Sequence, residues 1–360
     1  MTPALIEARG LTKHFKVGGL FSHTLLHAVD GADFAIGSGE IVALVGESGS
    51  GKSTVARLLA KVHRPTSGEI RYQGRPLSSM RSRRQILAYR GDVPMVFQDP
   101  FSSLNPTYRV SHGILRGLIL HRPELGRTER AAEAERVVEA VGLTPAADVL
   151  DRYPYELSGG QRQRIGFAQA LAYRPKLILA DEPVSMLDVS IRIGLLNLMA
   201  SLREREGVSF LYITHDVASA RYVSDRVMVM YAGHLVESGP TEAVLGAPRH
   251  PYTQLLLSAV PDPRAPLTVD ADAAAGEPPR VIDPTEGCRF RWRCPLAVDE
   301  CWQVTPRLRE LAPGHEAACH LATPDVPSAP VEEGPAAEAP AAEALAAEAP
   351  ARAGNERAGS

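Results

Sequence analysis

Gly46-Glu47-Ser48-Gly49-Ser50-Gly51-Lys52-Ser53 is the stretch that decides how this chain is read. Its spacing is that of a phosphate-binding loop: glycine, four residues, then Gly-Lys-Ser. The apolar run Ile41-Val42-Ala43-Leu44-Val45 precedes it, and Val55-Ala56-Arg57-Leu58-Leu59-Ala60 follows with helical composition. Strand, glycine-rich loop and helix are the context that the motif needs. Glycines let the backbone curl so that successive N–H groups point at phosphate oxygens, at the positive end of the next helix. Lys52 is expected to reach the β- and γ-phosphates and Ser53 to ligate Mg²⁺, with Thr54 grouped among the nucleotide contacts. A flexible Gly/Ser turn would need neither the Lys-Ser pair nor both flanking elements.

With 360 residues, the chain can bury a substantial core. Its net charge of −3 is uneven: Ala322–Ser360 holds seven acidic and two basic residues, leaving a slight positive excess before it. That balance is no nucleic-acid footprint. Apolar runs fall short of the roughly 18–20 residues of a membrane span, and the N-terminus lacks a signal-peptide core. A soluble protein is therefore expected, with any membrane link made through partners.

Residues 4–9 and 26–36 read as strands separated by a turn region, 16–25, with Phe15 at its start as either core or a platform for a nucleotide base. A short strand is expected at 68–73, and Arg81-Ser82-Arg83-Arg84 reads as a solvated helix face. Val93–Phe97 leads into Gln98, whose amide could stand near Mg²⁺ and an attacking water. Residues 110–121 and 128–141 look helical, the second with an apolar stripe at Ala131, Ala134, Val137, Val138 and Val141. Leu157-Ser158-Gly159-Gly160-Gln161 opens a further helix, a second phosphate-capable N-terminus with Ser158 as cap. Leu177–Ala180 is a buried-strand run ending in Asp181-Glu182. At the carboxyl end of a parallel strand, Asp181 suits Mg²⁺ and Glu182 suits polarising water. His215 follows another strand, 208–213, where it could sense the γ-phosphate. A hairpin at 227–237 and helices at 241–246 and 252–259 close the domain.

Phosphate loop, Gln98, Leu157–Gln161, Asp181-Glu182 and His215 occur in an order that resembles the nucleotide-binding subunit of ATP-binding-cassette (ABC) proteins. The resemblance implies an α/β P-loop NTPase fold with a helical subdomain at about 100–172. It makes Ser158, Gly159, Gly160 and Gln161 the signature motif, Ser185–Asp188 the D-loop, and Phe15 the adenine-stacking position. Met186 departs from the family, which more often has a small residue there. Two subunits, identical or homologous, dimerise head to tail in the family, each ATP lying between one phosphate loop and the other signature. The stretch Val96–Pro106, Arg152-Tyr153-Pro154, His250-Pro251-Tyr252-Thr253 and the ending Gly287–Pro295 narrow the resemblance to ATPase subunits of oligopeptide and dipeptide importers. Nickel importers share much of this pattern. The implied partners are two permease subunits and, indirectly, an extracytoplasmic solute-binding protein, placing the chain at the cytoplasmic face of the membrane. A non-transport ABC ATPase is the rival class, but neither a long coiled coil nor a second cassette is evident.

All four cysteines, Cys288, Cys294, Cys301 and Cys319, lie in one segment. A tight zinc-type pair two to four residues apart is missing. Four thiolates could hold a [4Fe–4S] cluster, which some relatives of this importer type carry here. Zinc, with His315 and His320 as spare ligands, reduced thiols and disulfide stay open. The expected organisation is a nucleotide-binding domain over 1–260, a linker at 261–284, a cysteine region at 285–321 and a disordered Ala/Pro/Glu tail from 322.

Overall fold

The computed structural model describes residues 4–18, 24–99, 104–185, 187–259 and 281–323. Two strands of thirteen residues, β1 (Ala4–Lys16) and β2 (Leu25–Gly37), open an antiparallel sheet. The first outruns its sequence expectation because pairing with β2 resumes at Leu11 after a register shift at Arg9-Gly10. The core sheet starts at β3 (Ile41–Val45), which hands the chain to α1 (Lys52–Leu59) across the glycine-rich loop. Strands β4 (Ser67–Tyr72) and β5 (Arg75–Pro76) complete the first sheet in the order β2-β1-β4-β5. Next comes α2 (Arg83–Asp92), whose N-cap Ser82 and Gln85 bond reciprocally, leaving the arginines exposed as expected.

A two-residue strand, β6 (Met95–Val96), is followed by the helical insertion: α3 (Val110–His121), α4 (Arg127–Ala140), α5 (Ala146–Asp151) and α6 (Gly159–Leu171). Ala134, Val137, Val138 and Val141 are buried as the periodicity predicts, but Ala131 is exposed. Glu133 lies inward in its neighbourhood, within ion-pair reach of Arg136, Arg122 and Arg174.

The remaining elements are β7 (Leu177–Asp181), α7 (Val189–Glu206), β8 (Ser209–Thr214), α8 (Val217–Val223), β9 (Arg226–Tyr231), β10 (His234–Pro240), α9 (Thr241–Gly246) and α10 (Pro251–Ser258). After Val281 come α11 (Asp299–Gln303), β11 (Arg309–Ala312) and β12 (His315–Ala317). The core sheet runs β11-β12-β10-β9-β3-β8-β7-β6, parallel from β9 to β6. Val42 and Leu44 pack into one apolar cluster, Ala43 and Val45 into the other. Burial on both faces is why these strands read as unbroken apolar runs rather than alternating ones.

Two placements tie the chain's later part to the core built around β3. β12 pairs with β10, so the cysteine segment extends the main sheet. Residues at the end of the expected linker lie on β2: His27 donates its backbone N–H to Val281 O (2.9 Å), and Asp283 to Leu25 O (3.0 Å). Met186, residues 262–280 and the chain beyond Thr323, with the expectations attached to them, lie outside the described residues.

Candidate active site

The glycine-rich loop leaves β3 at Val45 and closes at Lys52. Gly46 and Gly51 have φ of 156° and 108°, and a Cβ on either would run into the carbonyl oxygen of Met230 or Ala28. Only glycine fits so near another backbone. Lys52 is buried, and its ammonium donates to Gly46 O (2.7 Å) and Glu47 O (2.8 Å). Burial lowers its pKa, while Glu182, Asp181 and Glu47 pull it up. Ser53 Oγ donates to Asp181 Oδ1 at 2.9 Å, joining the first turn of α1 to the end of β7. Burial raises the Asp181 pKa, with the Ser53 hydrogen bond opposing.

Gln98, just past β6, donates its amide to Glu182 Oε2 (2.9 Å), and His215 Nδ1 stands 3.5 Å from the same oxygen. Glu182 has φ of +47°, unusual for a residue with a side chain. Its N–H is held by Ile213 O at 2.9 Å, so the end of β8 fixes the turn after β7. Six groups from four strand ends thus meet at the carboxyl edge of the parallel sheet, where such sheets bind ligands. A cleft of about 560 Å³ lies there, lined by Lys52, Ser53, Gln98, Glu182 and Phe15 among others. These residues fit a nucleoside triphosphate with Mg²⁺. Among the described residues the buried ammonium has only loop carbonyls as hydrogen-bond partners, hydroxyl and carboxylate converge as hard-cation ligands, and the buried Ser50 Oγ has no hydrogen-bond partner.

The other sequence-selected residues lie elsewhere. Ser158 caps α6, accepting the Gln161 N–H (3.2 Å) while its own N–H donates to Gln161 Oε1 (2.9 Å). A Cβ on Gly160 would strike Ile191 of α7, so that glycine sets helix contact as well as loop shape. Asp188 precedes α7 as its N-cap residue. None of these lines the cleft of its own chain.

The cysteines are drawn together. Cys288 N–H donates to Cys301 O at 2.8 Å. Burial pushes the Cys288 thiol up to about 11, with Cys301, Cys319 and Cys294 adding to the shift and a hydrogen bond from the Phe290 backbone opposing it. Backbone groups of Leu296, and of Leu321 and Ala322, likewise reach Cys294 and Cys319. Of the described residues, no three of these sulfurs lie within 4.8 Å of one another. The spare histidines are engaged: His315 Nε2 is 2.7 Å from the buried Glu237 carboxylate, and His320 reaches Val304 O (2.9 Å).

Sequence reasoning missed four contributors: Arg293, Tyr252, Val281 and Ile282. Glu47, expected as a nucleotide contact, turns its carboxylate to Arg293, while its N–H donates to Tyr252 Oη (2.9 Å). Val281 and Ile282 line the cleft beside Phe15. The only local signals were the His-Pro-Tyr and Cys-Arg-Phe-Arg-Trp-Arg-Cys stretches, which say nothing of where they dock.

Residues 29–185 match the ABC transporter family and 236–301 the oligopeptide/dipeptide transporter C-terminal region. The chain is 42% identical over 322 residues to the oligopeptide transport ATP-binding protein AppF of Bacillus subtilis (strain 168), covering 88% of this chain and 97% of that protein. The chain belongs to the ABC transporter family. Its ATP-binding subunits hydrolyse ATP with Mg²⁺, and ABC cassettes among solved structures share this fold. The ATP-binding cassette MJ0796, in a dimeric post-hydrolysis state bound to ADP and Pi, superposes with a TM-score of 0.58 at 26% identity, over 66% of this chain and 98% of that one. The cassette cbiO1 from Clostridium perfringens, part of the ABC transporter complex cbiONQ, gives 0.59 at 26% identity, over 68% and 91%.

Proposed function

We propose that this chain is the ATP-hydrolysing subunit of an importer of oligopeptides or dipeptides, acting at the cytoplasmic face of the membrane through permease subunits. One observation carries the reading: Lys52, Ser53–Asp181 and Gln98–Glu182–His215 meet around one cleft. The peptide class is supported by the match of residues 236–301 and by relatives such as AppF. No helix among the described residues is long and apolar enough to cross a membrane, so solute passage falls to partners.

Lys52 and the loop N–H groups hold the phosphates, and Phe15 stacks on the base. Ser53, Gln98 and Asp181 would hold Mg²⁺, which when bound would supply charge neutralisation at the phosphates. Glu182 orients water for in-line attack on the γ-phosphorus and takes its proton, while His215 bonds the γ-phosphate. Ser158, Gly159, Gly160 and Gln161 serve the nucleotide of a second ATP-binding subunit, across a contact that includes Asp188. Their absence from the cleft of their own chain and the dimeric state of the MJ0796 cassette support this. Reconstitution with permease and binding protein tests the solute class. ATP-dependent uptake of labelled short peptides is expected, and uptake of nickel without peptide would overturn it.

Cys288, Cys294, Cys301 and Cys319 are proposed to hold a [4Fe–4S] cluster. The supporting features are four thiols near enough to act on one another's ionisation, backbone hydrogen bonds to three of them, and sulfurs spaced too widely for one tetrahedral zinc. Anaerobically purified protein should be brown, with about four iron per chain and broad absorbance near ~400 nm. Colourless protein holding one zinc, or four titratable thiols without metal, would overturn it.

A further inference from the structure

We propose that Arg293 is a positioning residue for the phosphate-binding loop, through which the cysteine segment sets the affinity for ATP. The inference rests on the ATPase reading of the cleft. Arg293 Nη1 and Nη2 meet Glu47 Oε2 and Oε1 at 2.8 and 3.1 Å, a two-pronged ion pair between residues 246 apart in sequence. Both side chains are largely shielded, 15% and 24% exposed. The guanidinium lies over the rings of Tyr231 and Phe290, which fix its orientation, and its own backbone N–H is held by Phe290 O at 2.9 Å. A planar fork clamped this way has little freedom left to lose when it grips a carboxylate.

Glu47 is the second residue of the loop, and its carbonyl receives the Lys52 ammonium at 2.8 Å. The grip on its side chain is therefore one residue's backbone away from the cation that is to hold phosphate. Charge adds a second reason. A bare carboxylate in a phosphate-binding loop repels a triphosphate, and in this partly shielded place water screens it poorly. Arg293 neutralises that charge. A parallel strap comes from the same segment: Arg289 Nη2 pairs with Asp30 at 2.5 Å and donates through Nη1 to Ala232 O. Asp30 follows β2 residues that include Ala28, whose carbonyl abuts Gly51. Both straps run from the cysteine segment to the walls of the nucleotide cleft.

Loss of Arg293 should free the loop and unmask Glu47 together. Binding of a fluorescent ATP analogue to full-length Arg293→Ala should weaken about tenfold, with KM rising in step and kcat in the assembled transporter little changed. Adding Glu47→Gln should recover much of that loss by removing the unmasked charge, and Arg293→Lys should fall between, keeping charge without the fork. A merely structural part would lower kcat and folded yield and would not be repaired by a second loss at Glu47. Should Arg293→Ala fail to fold, the comparison of wild type, Arg293→Lys and Arg293→Lys/Glu47→Gln reads the same coupling. Equal affinity of the folded variants and wild type, or additive effects of the two substitutions, would overturn the role of Arg293 alone. Wild-type protein that binds no analogue would overturn the nucleotide reading with it.

Discussion

Glu182 holds a backbone conformation, φ +47°, that a side chain adopts only when its surroundings insist. The Ile213 carbonyl on its N–H and the Ser185 hydroxyl on its carbonyl, at 3.1 Å, supply that insistence. Its carboxylate is thereby aimed at Gln98 and His215 before any substrate arrives. Glu182→Gln keeps size and polarity but removes the base, so ATP binding should persist while turnover falls about a hundredfold or more. Parallel measurements of nucleotide binding and phosphate release check this, and near-normal turnover would remove Glu182 from the chemistry. Gly51→Ala should instead abolish binding, because the new methyl group meets the Ala28 carbonyl at a positive φ. Equilibrium binding of nucleotide to folded variant protein reads that directly. At this scale the site was legible: Lys52, Ser53, Gln98, Asp181, Glu182 and His215 each end a strand or loop whose neighbours in sequence define it. Arg293 was not, since nothing near it in sequence names a partner 246 residues away.

Helix starts carry the next set of consequences. Ser158 closes a reciprocal cap with Gln161, and its helix end lines no part of its own chain's cleft. Ser158→Arg should leave nucleotide binding by one subunit intact but suppress ATP-driven dimerisation, seen by light scattering with Glu182→Gln as background. Full hydrolysis by strict monomers would defeat the shared-site reading. At α10 the N-cap is His250, whose Nδ1 accepts the Tyr252 N–H at 3.0 Å. Burial pushes its pKa down to about 4, with Glu237 opposing. The unfolded chain takes up that proton below about pH 6.5, whereas the folded chain resists until about pH 4. Its contribution is thus whole above the upper value and lost progressively as pH falls through the window. The melting temperature should drop over this range, and His250→Asn, which keeps an acceptor at the cap, should flatten the drop. Element types and many bounds followed from periodicity and caps. The inward turn of Glu133 in place of Ala131 did not, because Arg122 and Arg174, brought by other parts of the fold, join Arg136 of the same helix in making a carboxylate tolerable there.

The whole molecule is built around one sheet whose outer part arrives last in the chain. Pairing of β12 with β10 has no local signature, which is why the cysteine segment read as a separate region. Its boundary lies slightly later than composition suggests, since Ala322 is buried and its carbonyl accepts Arg309 Nη2 at 2.6 Å. Truncation after Thr323 should therefore leave hydrolysis and transporter assembly unchanged, and a large loss in either assay would mean that the acidic Ala/Pro/Glu stretch has work of its own. Removal of everything after α10 is another matter. β11 ends the sheet with the exposed charges Arg309 and Glu310, whereas β10 behind it is buried along five of its seven residues. A bare strand edge, with its unpaired N–H and C=O groups, is a template for further strands, and short charged edge strands are how proteins deny it. The last strands of this chain therefore act as a guard against self-association: a shortened cassette could fold, bind nucleotide and still precipitate as it is made, one uncovered β10 recruiting the next.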